Sequence, residues 1–189
     1  MLFILKKMCW LILLCWLPIC SVLAAEEVSV EEVSVEEQRS AINSMSEKVL
    51  TELYAVKSSV KGLMKNAHGY AVFNNDAINL ILATSEGYGV VKNVRTGEST
   101  YMLIEDTEGK FGDQDKAFKL ILIFNSADSY ERFATQDWSN VQAEPFGKWL
   151  ASLPANEAKS VLIYQFIDDV LLPSPTINHM KFWIDEKLN

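Results

Sequence analysis

Cysteine is nearly missing from this chain, and where it occurs is informative. Its three copies, Cys9, Cys15 and Cys20, all lie in the first 20 of 189 residues. The rest of the chain has no thiol for a disulfide, a nucleophile or a soft metal ligand. Histidine is as scarce: His68 and His179 stand 111 positions apart with no companion motif. A metal centre would need further ligands that no spacing nominates. Two structural histidines are the simpler reading. There is no G-x-S-x-G and no phosphate-binding glycine loop. Gly87-Tyr88-Gly89 lacks the third glycine and the following helix that a dinucleotide site requires. Positive charge is short as well, with 17 Lys and Arg against 25 Asp and Glu, for a formal net charge of −8. Nucleic-acid binding, which relies on Lys and Arg neutralising phosphates, is not expected from such a balance.

What is present begins with an export signal. Lys6 and Lys7 form a short positive region, an apolar run continues to Leu17, and Ser21-Val22-Leu23-Ala24 supplies small residues for cleavage after Ala24. Residues 1–24 are therefore expected to be a signal peptide, and the chain a bacterial periplasmic or secreted protein. The alternatives are a retained anchor or a membrane-anchored lipoprotein through Cys20, although bulky Ile19 precedes that cysteine where a small residue is required. Loss of Lys6 and Lys7 would take the formal charge from −8 to −10.

Residues 25–38 read as an acidic linker in which Glu-Glu-Val-Ser-Val is repeated. The domain is expected over 39–189. Ile42, Met45, Val49, Leu53, Val56, Val60 and Leu63 recur at spacings of three and four, which predicts an amphipathic helix over 39–66, capped near Ser44 or Ser46 and interrupted at Ser58-Ser59. Lys48, Lys57, Lys61 and Lys65 lie off that stripe, either as a solvated face or as a contact for a membrane surface.

Strands are then predicted over 70–73, 78–83, 87–94 and 99–104, with a hairpin turn at Arg95-Thr96-Gly97-Glu98. Phe118–Phe124 is almost wholly apolar and should be a central strand. Ser126 is placed to cap a helix that turns Tyr130 and Phe133 inward. Val161–Ile167 and Val170–Leu172 read as strands joined at Asp168-Asp169, and 181–188 as a short closing helix. The fold class is α+β: N-terminal amphipathic helices, then a mainly antiparallel sheet or barrel-like core with one or two further short helices.

Ala67-His68-Gly69-Tyr70-Ala71-Val72-Phe73 resembles the A-x-G-Y-A-V-F signature of the SYLF domain in its exported bacterial form. Further blocks follow in the family's order: Gly87-Tyr88-Gly89-Val90-Val91, Thr100-Tyr101-Met102, Phe124 to Phe133 with Trp138, Tyr164 in a V-Y-Q-like strand, and Lys181-Phe182-Trp183 with Leu188-Asn189. The chain departs from the pattern over Asn75 to Leu82, which has no glycine where the family is glycine-rich. The resemblance implies a non-enzymatic module without a cofactor. Eukaryotic SYLF proteins bind phosphoinositides and membranes, and some bind actin. For a bacterial envelope this implies a phospholipid or membrane-surface contact, with Lys57, Lys61 and Lys65 on the matching helix as candidate lipid-contact residues. A protein partner in the envelope is the alternative. An uncharacterised hydrolase ranks below both, because no nucleophile–base pair can be named.

Overall fold

In the computed structural model, residues 33–75, 87–106, 118–136 and 145–189 are described. The expected signal peptide, most of the linker, the strand over 78–83 and Trp138 lie outside them. Contacts divide the chain into two units, Met1–Glu32 and Val33–Asn189, and the second holds all the described residues.

Helix α1 runs Val35–Val56 and so starts earlier than the periodicity predicts. Ser34 is the reason. Its hydroxyl accepts from the Glu37 N–H, and the Glu37 carboxylate reaches back to the Ser34 N–H at 3.1 Å, a reciprocal capping box. Ser44 and Ser46 do not cap; Ser46 is buried in mid-helix. Lys57-Ser58-Ser59 ends α1, and α2 follows at Val60–Asn66. Ile42, Met45, Val49, Leu53 and Val60 enter the core as the stripe predicts, whereas Val56 and Leu63 stay exposed.

The strands are β1 (Gly69–Asn74), β2 (Gly87–Asn93), β3 (Ser99–Asp106), β4 (Phe118–Phe124), β5 (Val161–Ile167), β6 (Val170–Leu171) and β7 (Met180–Ile184). They form one antiparallel seven-stranded sheet in the order β6-β5-β4-β1-β2-β3-β7. The sheet is open, with β6 and β7 at its ends. Helices α3 (Ala127–Thr135), α4 (Phe146–Ser152) and α5 (Ala155–Ala158) lie between β4 and β5 in the chain. The α+β reading therefore holds, and among the described residues the sheet runs from β6 to β7 without closing into a barrel.

Alternation along each strand sends side chains to two cores. Ala71, Phe73, Met102, Leu120, Leu122, Phe124 and Phe182 meet Phe133, Phe146 and Trp149 on one face. Val72, Tyr88, Val90, Ile121 and Ile123 meet Ile42, Val49, Leu53 and Val60 of α1 and α2 on the other. A sheet covered by helices on both faces needs a strand that is buried throughout, and β4 is buried at all seven positions.

The turns follow the sequence closely. Asn93 Oδ1 accepts from the N–H groups of Arg95 and Thr96, and Gly97 takes φ +79°, which closes the β2–β3 hairpin. Asp168 and Asp169 adopt φ 48° and 63°, the pair of left-handed residues that a two-residue hairpin requires, and so place the adjacent acids in the β5–β6 turn. The closing segment differs from expectation. Residues 180–184 are a strand and not a helix, because Met180 and Phe182 are buried while Lys181 and Trp183 are half-exposed, a period of two. Leu188 is buried beyond it, and the Asn189 side-chain amide brackets the Tyr101 backbone, accepting its N–H at 3.0 Å and donating to its carbonyl at 2.8 Å.

Candidate functional site

The signature around β1 and β2 is a packing device. A Cβ on Gly69 would lie 2.2 Å from the Tyr130 ring and 2.8 Å from the Lys92 carbonyl oxygen. One on Gly89 would lie 2.2 Å from the Val72 carbonyl oxygen. Both glycines therefore permit close approach. His68 donates its backbone N–H to the Phe124 carbonyl at 2.8 Å and sets its ring 5.3 Å from that of Tyr130. Burial raises the Tyr130 pKa first, with Glu98 and Glu131 adding to the effect. His179 places Nε2 3.3 Å from Asp106 Oδ1, at the start of β7. The two histidines have different neighbours, Phe124 and Tyr130 for His68 and Asp106 for His179. Among the described residues, no group of three His, Cys, Asp or Glu is arranged to hold a metal ion.

The candidate lysines lie where α1 passes into α2. Lys57 caps α1, its N–H donating to the Leu53 carbonyl at 2.8 Å. Its ammonium sits 5.5 Å from the ring centroid of Tyr164 on β5. The Lys61 ammonium sits 5.7 Å from the ring of Tyr54 on α1. Such cation–π contacts attract an exposed ammonium to the ring face by about 0.5–1 kcal/mol. Lys65 is exposed one turn after Lys61 in α2. Beside them in sequence stand Val56, just before Lys57 and 60% exposed, and Leu63, between Lys61 and Lys65 and 39% exposed. These are the two stripe positions that the core does not take up. The structure thus brings exposed apolar and basic side chains to one corner of the molecule. Lys48, the remaining lysine off the stripe, is exposed on α1 and contributes its field to Asp169.

Close by is a charged group that the sequence reading passed over. Lys119 interrupts the apolar run of β4 and is buried on the α1 side of the sheet. Its Nζ donates to Glu52 Oε2 at 2.6 Å and to Asp169 Oδ1 at 2.5 Å. Burial works to lower the Lys119 pKa, but the hydrogen bonds and charges of Asp169 and Glu52 outweigh it and the pKa rises. The Asp169 pKa falls, chiefly through the hydrogen bond from Lys119. The signal was available: a single lysine inside seven otherwise apolar residues demands buried partners.

A polar recess of about 430 Å³ opens where α1 begins, between Glu36, Arg39, Ser99, Tyr101 and Asn189. Its guanidinium is already engaged. Arg39 Nε donates to the Leu188 carbonyl at 2.9 Å, the group lies 5.7 Å from the Tyr101 ring centroid, and Glu36 is 3.8 Å away. No helix among the described residues is long and apolar enough to cross a membrane.

No protein-family model matches the chain. It is similar to Beta cell expansion factor A of Aeromonas veronii, with 34% identity over 154 residues. The match takes in 80% of this chain and 59% of that protein, so the chain spans somewhat over half the length of the curated relative.

Proposed function

We propose that the chain is a non-enzymatic exported module of the cell envelope that binds lipid at a membrane surface through the corner formed by α1 and α2. The observation that supports this is the juxtaposition of Lys57, Lys61 and Lys65 with exposed Val56 and Leu63 in a chain that is otherwise acidic. Interfacial binding needs both parts: apolar side chains to enter the headgroup boundary and cations to meet anionic lipid. An acidic body also turns such a corner toward the bilayer, since the remainder of the surface is repelled. The sequence resemblance to SYLF domains, with membrane contact on the matching helix, points the same way. Beta cell expansion factor A is by its name a factor in the expansion of beta cells. An action of that kind, if shared, needs this chain outside the cell that makes it, in keeping with an export signal over 1–24.

Co-sedimentation with vesicles of phosphatidylcholine containing phosphatidylglycerol tests the reading. The wild-type chain should pellet with them, less so as salt rises. Lys57→Glu, Lys61→Glu and Lys65→Glu combined should reduce the bound fraction at least tenfold without lowering the melting temperature, because all three side chains are exposed. Binding that survives the triple substitution would move the contact elsewhere. No binding to any vesicle at low salt would remove the lipid reading and favour a protein partner in the envelope.

A further inference from the structure

Helices α1 and α2 supply only part of the surface around Lys57. The ring beneath its ammonium belongs to Tyr164 of β5. Along β5, Leu162, Tyr164 and Phe166 face the α1 side; Phe166 is buried, while Leu162 and Tyr164 are half-exposed. Strand β6 extends this face by one residue. Leu171 stands directly across from Phe166, so the two side chains share a face, and Leu171 packs at the edge of the α1-side core while half-exposed. Val170 stands across from Ile167, which packs against the opposite core, so Val170 points the other way.

The hairpin that carries Leu171 is tied to α1. Lys119 holds Asp169, in the β5–β6 turn, and Glu52, one turn before Val56. One buried ammonium therefore connects the hairpin tip to the end of α1 that carries Val56 and Lys57. Two segments distant in sequence, 52–63 and 162–171, are fixed side by side.

We infer that the membrane contact is bipartite. The β5–β6 hairpin supplies a second apolar strip of Leu162, Tyr164 and Leu171, and Lys119 is the positioning residue that sets this strip beside Lys57 and Lys61. The occupant is a bilayer surface bearing anionic headgroups, because the strip is bordered by lysines in a chain of net charge −8. The inference rests on the membrane-surface reading above and adds a second element to it.

The adjacent positions 170 and 171 make a face-specific test on the same vesicles. Leu171→Asn should weaken vesicle affinity about tenfold, the loss expected when one large apolar side chain no longer leaves water. Val170→Asn, one residue away on the other face, should leave it within about twofold. Lys119→Met should weaken binding while the melting temperature holds, since Glu52 and Asp169 can turn to water, and Lys119→Arg should restore binding because a guanidinium can bridge both carboxylates. Hydrogen exchange on the wild-type chain needs no variant: vesicles should protect amides over 161–172 as well as over 54–66. Protection confined to 54–66, equal effects at 170 and 171, or unchanged binding in Lys119→Met would overturn the bipartite surface. If the triple lysine variant loses binding while Leu171→Asn does not, the hairpin is excluded and the helical contact stands. If the wild type binds no vesicle, both fall together.

Discussion

Lys119 shows how one side chain can set geometry without adding much stability. An ammonium with a 7% exposed side chain is costly to desolvate, and its two partners return that cost through short charged hydrogen bonds. What the arrangement secures is position: α1 and the β5–β6 turn meet at one point. The same residues fix a pH dependence. The Asp169 pKa is lowered in the folded chain, so its contribution to stability is present above its unfolded value, near 4, and is lost as pH falls through the folded value. Glu37 is lowered too, by hydrogen bonds with Ser34, and acts in the same window. Lys119 is raised, so its share is complete below its unfolded value and disappears only as pH climbs through the raised one. Acid melting curves should therefore show the wild type losing stability below about pH 4. Asp169→Asn, which keeps the left-handed turn residue, should show a shallower loss; an identical acid slope would mean that the ion pair is not formed in solution. The glycines of the signature act at this scale as well. Gly69 and Gly89 are required by the backbone and ring atoms that press on them.

At the scale of elements, the capping box decides where α1 begins and how much of its first turn is ordered. Ser34→Ala removes the hydroxyl that accepts the Glu37 N–H, a loss of about 1 kcal/mol. The melting temperature should drop by about 2–4 °C in a domain of this size, and exchange should rise over the first turns of α1 before it rises in β4. No change in either would show that the first turn is held by Arg39 and its bond to the Leu188 carbonyl instead. Much of the element list was legible. The apolar run of β4, the turn chemistry of Asn93 to Gly97, the cap at Ser126 and the break at Ser58-Ser59 are all local signals, and local physics fixes them. The start of α1 is hidden in the sequence because the acidic repeat conceals a Ser-x-x-Glu box. Strand β7 reads as a helix in the sequence because five residues hold too few periods to separate two from 3.6, and its pairing with β3 is invisible without the fold. Of the candidate site, the lysines could be nominated from sequence. Lys119 is marked by the apolar run around it as a charge in need of partners, but its place beside Lys57, like that of Tyr164 and Leu171, depends on strand order.

At the scale of the whole molecule, one sheet serves two cores, and neither helix layer can pack without it. The surface that we propose as a membrane contact lies on the α1 side and toward the β6 end of that sheet. The opposite end, β7, is remote from it in strand order and is locked by Leu188 and Asn189. That order has a kinetic meaning. Strands β1 to β3 pair as near neighbours in sequence, and β4 to β6 extend the sheet on the other flank, but β7 must return past four strands to reach β3. Long loop closures are slow to search, so β7 should be the last strand to dock. Pulse-labelled exchange during refolding should find the amides of Lys181 and Trp183 protected after those of β1 and β4, and simultaneous protection would show that the sheet forms in one step. Until that docking, β3 is an open edge able to accept a foreign strand. Strand β7 and the residues after it, 180–189, thus act as a closing seam, and the interval before they seat is when the chain is most exposed to aggregation.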